Sequence, residues 1–137
     1  MDKDKDIKIS GYASLFDVED ISGDVVREGA FKKTLEDGSM PMLFAHKPGT
    51  PIGVWETVRE DESGLFVEGI IRPSSSPQAK KLADLIKAGS VTGLSIGYRT
   101  VKSSPRDGGR NLLELDLWEV SVVGFPLLRA ARIQDVE

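Results

Sequence analysis

The sequence predicts a mainly β protein with short helices, an α+β chain whose six or seven antiparallel strands form a closed or nearly closed barrel with helices packed on it. Two observations carry that expectation. Apolar residues alternate with period 2 through most of the chain, and only one long segment switches to helical spacing. Clusters of Gly, Asp, Ser and Pro punctuate the alternating runs at the short intervals of a strand-rich fold.

Ile7, Ile9, Ala13 and Leu15 share one parity, which marks a strand from Ile7 to Phe16. A loop from Asp17 to Gly23 leads to a second β-like stretch. Gly29 to Leu35 then reads as a short helix ended by Gly38. Met40 to His46 is a compact apolar run. Ile52 to Arg59 and Gly64 to Arg72 are two further strands, joined by the acidic turn Glu60-Asp61-Glu62-Ser63-Gly64. Ser76 before Pro77 is a helix start, since serine can cap and proline suits the first helical position. Ala79, Leu82, Ala83 and Ile86 follow at helical spacing until Gly89. Val91 to Val101 and Leu112 to Gly124 are the last two strands, separated by Pro105-Arg106-Asp107-Gly108-Gly109.

A chain of 137 residues fits a single domain over 1–137, and 39% hydrophobic with 29% charged residues is the balance of a folded globular protein. The 18 basic residues are scattered among 22 acidic ones, which argues against direct nucleic-acid binding. With no cysteine there is no disulfide framework, thiol nucleophile or thiolate metal site, and one histidine leaves no metal or other cofactor to expect. The opening Met-Asp-Lys-Asp-Lys-Asp is not a signal peptide and no window is long and apolar enough to span a bilayer, so a cytosolic protein without membrane contact is expected.

Gly93-Leu94-Ser95-Ile96-Gly97 spells G-x-S-x-G. The nucleophile elbow of that pattern needs a strand before the serine and a helix after it, whereas this serine lies inside a β-like run. Alternation puts Gly93, Ser95 and Gly97 on one strand face, where missing side chains would let a substrate backbone approach the hydroxyl. Ser95 is then either an ordinary strand serine beside a bulge or a nucleophile. His46, the sole histidine, stands at a strand end and is either a hydrogen-bonded rim residue or the base for such a serine. Glu119 shares parity with Leu113, Leu115, Leu117 and Val123, so it reads as a carboxylate on an apolar face. Such a group needs a partner: an arginine in a structural ion pair, or His46. Asp116 and Glu114, of opposite parity, read as solvated alternates. Oxyanion donors are expected in the loop after Gly124, near Leu128 to Arg132, with Arg129 and Arg132 as candidate oxyanion or substrate contacts beside Gly93 and Gly97.

In their order and spacing these pieces resemble the prohead maturation proteases of tailed bacteriophages. The resemblance runs through Gly11-Tyr12-Ala13, Gly23-Asp24-Val25-Val26, Gly29-Ala30-Phe31, His46 with Pro51-Ile52-Gly53, Lys87-Ala88-Gly89, Gly93 to Tyr98, and Leu117-Trp118-Glu119-Val120-Ser121, covering about Ile7 to Arg132. It implies a fold similar to the herpesvirus capsid-maturation protease, a barrel of antiparallel strands surrounded by helices. It also implies a serine peptidase with Ser95 as nucleophile and His46 as base. In the herpesvirus relative a second histidine follows the serine. This chain has none, and Glu119 stands in the matching place, with Asp116 as the alternative third member.

The implied substrates are a scaffold protein, or the scaffolding extension of the major capsid protein, inside the immature shell in the host cytoplasm, and the protease itself. A homo-oligomer is one form such an enzyme can take. An inactive capsid-assembly protein with the same fold, or a small peptide-binding barrel, would leave Ser95 without special reactivity. Asp24 is left either structuring its loop or lining a substrate groove.

Overall fold

The computed structural model describes residues 5–38 and 40–137; Met1 to Asp4 of the opening polar segment lie outside the described residues. The strands are β1 (Ile7–Leu15), β2 (Val25–Val26), β3 (Met42–Phe44), β4 (Gly53–Glu60), β5 (Gly64–Ile71), β6 (Gly93–Arg106), β7 (Gly109–Val123) and β8 (Ile133–Val136), with one α-helix, α1 (Pro77–Lys87). Short 3-10 turns cover Thr34–Asp37 and Pro73–Ser75. Strands take 51% of the residues and helices 14%, which puts the chain in the mainly β class.

Hydrogen bonding divides the strands into two sheets. One runs β4-β5-β1-β8; in the other, β7 pairs with β6 along one edge and with β2 and β3 on the other. The sheets approach each other at two seams. Pro41 bridges Val54 at one, while Gly93 bridges Arg132 at the other, supported by Leu94 N–H to Ala131 O at 2.9 Å and Ile133 N–H to Thr92 O at 2.8 Å. Neither seam is a continuous ladder, so the strands are two sheets rather than one hydrogen-bonded barrel. Nor is the pairing antiparallel throughout: β2 and β3 run parallel to β7, because the chain reaches β7 from them through long connections rather than hairpins.

Both sheets bury one core, in which Phe31, Leu65, Val67, Leu82, Leu112 and Val120 are fully enclosed. α1 turns Ala79, Leu82, Ala83 and Ile86 into it. The Ser76 hydroxyl accepts from Ala79 N–H at 3.0 Å, a cap worth about 1 kcal/mol, and donates to Pro51 O at 2.7 Å, tying the helix to the approach to β4. The helix expected over Gly29 to Leu35 is instead a chain of tight turns followed by Thr34–Asp37. Gly29 and Gly38 both adopt positive φ, and the Phe31 N–H goes to Glu60 Oε1 at 3.1 Å, so too short a stretch remains to propagate an α-helix.

The expected loop from Pro105 to Gly109 contracts to Asp107-Gly108, a two-residue hairpin with Gly108 at φ 83°. Pro105 lies within β6, at the edge of its sheet, where a missing N–H is tolerated.

Three bulges interrupt the β6–β7 ladder. Gly97 pairs with Glu119 and Tyr98 with Leu117, leaving Trp118 unpaired; Val101 and Leu113 are the other extra residues. The β7 residues in the core cluster are therefore Leu112, Leu115, Leu117, Val120 and Val122, with a skip of three wherever a bulge falls. This corrects the sequence reading of Glu119. It does not share the face of Leu115 and Leu117: the bulge at Trp118 turns it to the opposite face, together with Ser121 and Val123.

β7 is anchored on both sides of that bulge. The buried Trp55 Nε1–H of β4 donates to Val120 O at 3.1 Å, and Leu117 N–H donates to Thr34 Oγ1 at 3.0 Å.

Asp24 closes the β2 loop onto the β6–β7 hairpin through Arg110, with Oδ2 to Nη2 at 2.8 Å and Oδ1 to the Arg110 backbone N–H at 3.0 Å. These Arg110 hydrogen bonds hold its carboxyl below the ordinary carboxylate range, against the opposing effect of burial. A depressed folded value stabilises the native state above the unfolded value, and that contribution disappears as pH falls below about 4. Asp24→Asn is expected to lower the urea midpoint at neutral pH and to narrow its difference from wild type on acidification. Parallel urea curves at every pH would contradict this.

Candidate active site

The site is assembled on the outer face of the β3–β7–β6 ladder. Ser95 on β6 is directly opposite Ser121 on β7, and Ser121 is opposite Leu43 on β3. Two residues along β7, Glu119 is opposite Gly97. Because antiparallel partners point to the same side, Ser95, Gly97, Glu119 and Ser121 form one patch. β3 ends at this patch, and His46 follows it after Ala45.

His46 is delivered by a tight turn in which Lys47 N–H donates to Phe44 O at 3.1 Å. Its two central residues, Ala45 (φ 54°) and His46 (φ 62°), both have left-handed backbones. Consecutive non-glycine residues there store roughly 1–3 kcal/mol each and persist only where the surroundings impose them. Ala45 N–H donates to Val122 O at 3.0 Å, and His46 N–H donates to the Ser121 hydroxyl at 3.0 Å.

The turn aims the imidazole at Glu119, with Nδ1 2.5 Å from Oε2. Because an ionised carboxylate only accepts, pairing with one requires Nδ1 to donate, and in a neutral ring that leaves the lone pair on Nε2. Glu119 Oε1 accepts from the Ser121 hydroxyl at 2.9 Å, so both carboxylate oxygens are engaged. The His46 side chain is 44% exposed and that of Glu119 12%, an arrangement of a sheltered carboxylate behind an accessible ring. Ser95 is 7% exposed, and among the described residues its hydroxyl and His46 Nε2 have no hydrogen-bond partner.

Glycine serves this face differently from the sequence expectation. A Cβ on Gly97 would stand 2.5 Å from Glu119 Oε2, and one on Gly93 2.8 Å from Pro126 Cδ and from Val123 O. The space opened by the missing side chains is filled by Glu119 and Pro126, not left for a substrate backbone.

Among the described residues the edge of β6 away from β7 carries only the bridge at Gly93, and beyond it lies a cleft whose walls include Ser14, Asp20, Asp24, Ser95, Tyr98 and Leu128. Burial raises the Tyr98 hydroxyl above its ordinary value, with the charges of Asp20 and Asp24 adding to the effect. Asp24 thus both structures its loop and lines the cleft.

The loop after β7 runs alongside Ser95. The guanidinium of Arg132 is held by Thr92 Oγ1 at 3.0 Å and Arg129 O at 2.8 Å, whereas the Arg129 side chain is exposed. The backbone N–H groups of Arg129 and Ala130 donate to no other group among the described residues. Asp116 lies away from His46, beside Arg99 at 3.7 Å and Trp118 Nε1 at 3.3 Å, and Glu114 pairs with Lys102 at 3.7 Å. Among the described residues no group of three or more His, Cys, Asp and Glu could hold a metal.

Sequence reading missed Ser121. Its signal was present, a hydroxyl two residues beyond Glu119 on a strand, but only the cross-strand register with Ser95 gives it meaning.

Comparison with known proteins adds the relationships. A family described as caudovirus prohead serine protease matches residues 1–137. The prohead protease of Enterobacteria phage HK97 is 36% identical over 129 residues, which is 90% of this chain; the chain spans 57% of that relative's length. Among solved structures, the bacteriophage T4 capsid assembly protease is similar with a TM-score of 0.65 at 16% identity, over 85% of this chain and 80% of that one. The protease of KSHV, in complex with a hexapeptide phosphonate inhibitor, is similar with a TM-score of 0.62 at 15% identity, over 97% and 65%. At such identities the likeness is one of fold.

Proposed function

The chain belongs to the caudovirus prohead serine protease family, and from that membership we propose that it is a serine endopeptidase of Ser-His-Glu type acting in capsid maturation. The observation that carries the reading is the His46 Nδ1–Glu119 Oε2 contact of 2.5 Å on the face where the unpartnered Ser95 hydroxyl stands. With Nδ1–H committed to the carboxylate, Nε2 accepts the Ser95 proton as Oγ attacks the scissile carbonyl. Glu119 holds the ring and stabilises the imidazolium that forms. That imidazolium gives its proton to the departing amine, and the acyl-enzyme is then hydrolysed by water that His46 deprotonates in turn. The uncommitted amides of Arg129 and Ala130 are the donors offered to the oxyanion.

An extended substrate would pair with the free edge of β6, its side chains alternating into the cleft beside Ser95. We take residues 1–137 as one catalytic domain whose two sheets wrap a shared core in barrel fashion, supported by the two bridged seams. The substrates proposed are the scaffold, or the scaffolding extension of the major capsid protein, and the protease itself, inside the prohead in the host cytoplasm. A homo-oligomeric working form is part of the same reading.

The test is co-expression with the cognate capsid protein, together with a fluorophosphonate probe. Trimming of the capsid protein and labelling at Ser95 are expected for wild type, and both should vanish in Ser95→Ala. Trimming that survives in Ser95→Ala would overturn the proposal.

A further inference from the structure

We propose that Ser121 is a positioning residue: its hydroxyl locks the left-handed turn carrying His46 to the carboxylate of Glu119, opposite Ser95. Its kinetic part rests on the protease reading above. The hydroxyl is at once an acceptor for the His46 backbone N–H at 3.0 Å and a donor to Glu119 Oε1 at 2.9 Å. Ser121 is fully buried, so neither bond can be replaced by bulk solvent. A buried hydroxyl on a β-strand would ordinarily satisfy itself locally or be replaced by an apolar side chain. Here its one proton and one lone pair are spent on two other members of the site.

Two elements meet at this atom and a third lies opposite its residue. The turn after β3 contributes the His46 amide, β7 contributes Glu119, and β6 contributes Ser95 through its pairing with Ser121. The left-handed backbone at His46 is costly and must be held from outside. The Ala45 N–H bond to Val122 O fixes the entrance of the turn, and the Ser121 hydroxyl is the contact that fixes His46 itself. On the carboxylate side, the Ser121 proton occupies Oε1 and leaves Oε2 aimed at Nδ1. Loss of the hydroxyl would free the turn and let the carboxylate rotate, so that imidazole and Ser95 lose their alignment. A misplacement of about 1 Å can cost about 100-fold in rate.

The experiment compares Ser121→Ala, Ser121→Thr and Ser121→Val. Threonine and valine have the same shape, so a difference between them reports the hydroxyl and not the packing. Two readouts are taken, the rate of fluorophosphonate labelling at Ser95 and the NMR signal of the His46 Nδ1 proton, with thermal melting run in parallel. Alanine and valine are expected to label about 10- to 100-fold more slowly than wild type and to lose the Nδ1 proton signal to solvent exchange. Threonine should retain both, whereas valine, which leaves the His46 amide and Glu119 Oε1 without that partner, should also melt lower than threonine. Wild-type labelling and an undisturbed Nδ1 signal in Ser121→Ala, or equal behaviour of threonine and valine, would overturn the proposal. If the branched variants fail to fold, Ser121→Ala decides alone. Absence of labelling in wild type would sink the enzyme reading, while the Nδ1 signal would still decide whether Ser121 holds the His46–Glu119 pair.

Discussion

Alanine at His46 is expected to cost as much cleavage as alanine at Ser95, on the order of 10⁴-fold or more, with the double variant no worse than either single one. The reason is the division of labour read from the geometry. Ser95 has no other base within the patch, since both oxygens of Glu119 are taken by His46 and Ser121. In the proposed mechanism it is the ring that moves the serine proton, and a serine that keeps its proton is a poor nucleophile. Capsid-protein trimming in co-expression, quantified for the two single variants and the double, checks this. Full activity in His46→Ala would remove the mechanism altogether.

A single methyl at Gly97 is expected to be nearly as damaging, about 10²- to 10⁴-fold in activity, while leaving most of the stability intact. The added Cβ would lie 2.5 Å from Glu119 Oε2 and 2.8 Å from its Cδ, so the carboxylate has to move. It cannot move without abandoning His46, because Oε2 is the atom in contact with both. Gly93→Ala provides the contrast. Its Cβ would strike the Pro126 ring and the Val123 carbonyl, so its damage should register in thermal melting rather than selectively in the pair. If Gly97→Ala labels and cleaves like wild type, the carboxylate is not held where catalysis needs it.

The sequence made several of these features legible and hid others for identifiable reasons. Local signals survived folding. Ser76-Pro77 starts α1 and Gly89 ends it, because capping and helical spacing are settled within a few residues. Ser95, His46 and Glu119 could each be singled out by type and place. Their convergence could not, since it depends on β3 running parallel to β7 and on the left-handed turn that no residue at 45 or 46 announces. Glu119 shows the limit most clearly. Its contact with His46 supplies one of the two partners the sequence offered it, yet its supposed alignment with Leu115 and Leu117 assumed an unbroken alternation that the bulge at Trp118 interrupts. Bulges depend on the partner strand, and a parity count along one strand cannot see them. The tight turns after Gly29 failed to form a helix for a similar reason, the Phe31 amide being claimed by Glu60 from a distant strand.

The unpaired Trp118 makes β7 a strand read in two phases. Upstream of it, Leu115 and Leu117 are spoken to the core; downstream, Val120 and Val122 continue that message, while Glu119 and Ser121 compose the other. Substitution at 118 changes one exposed side chain, and deletion of the position would remove the bulge, making Leu117 and Glu119 neighbours in an unbroken alternation. Glu119 and Ser121 would keep the outer face and Val120 and Val122 the core; the carboxylate would turn to the interior only if residue 118 stayed and the bulge were ironed out. For anyone aligning relatives or editing this segment, the extra residue between Leu117 and Val120 is accommodated only as a bulge, for at that spacing an unbroken alternation would turn the carboxylate from a histidine to a core.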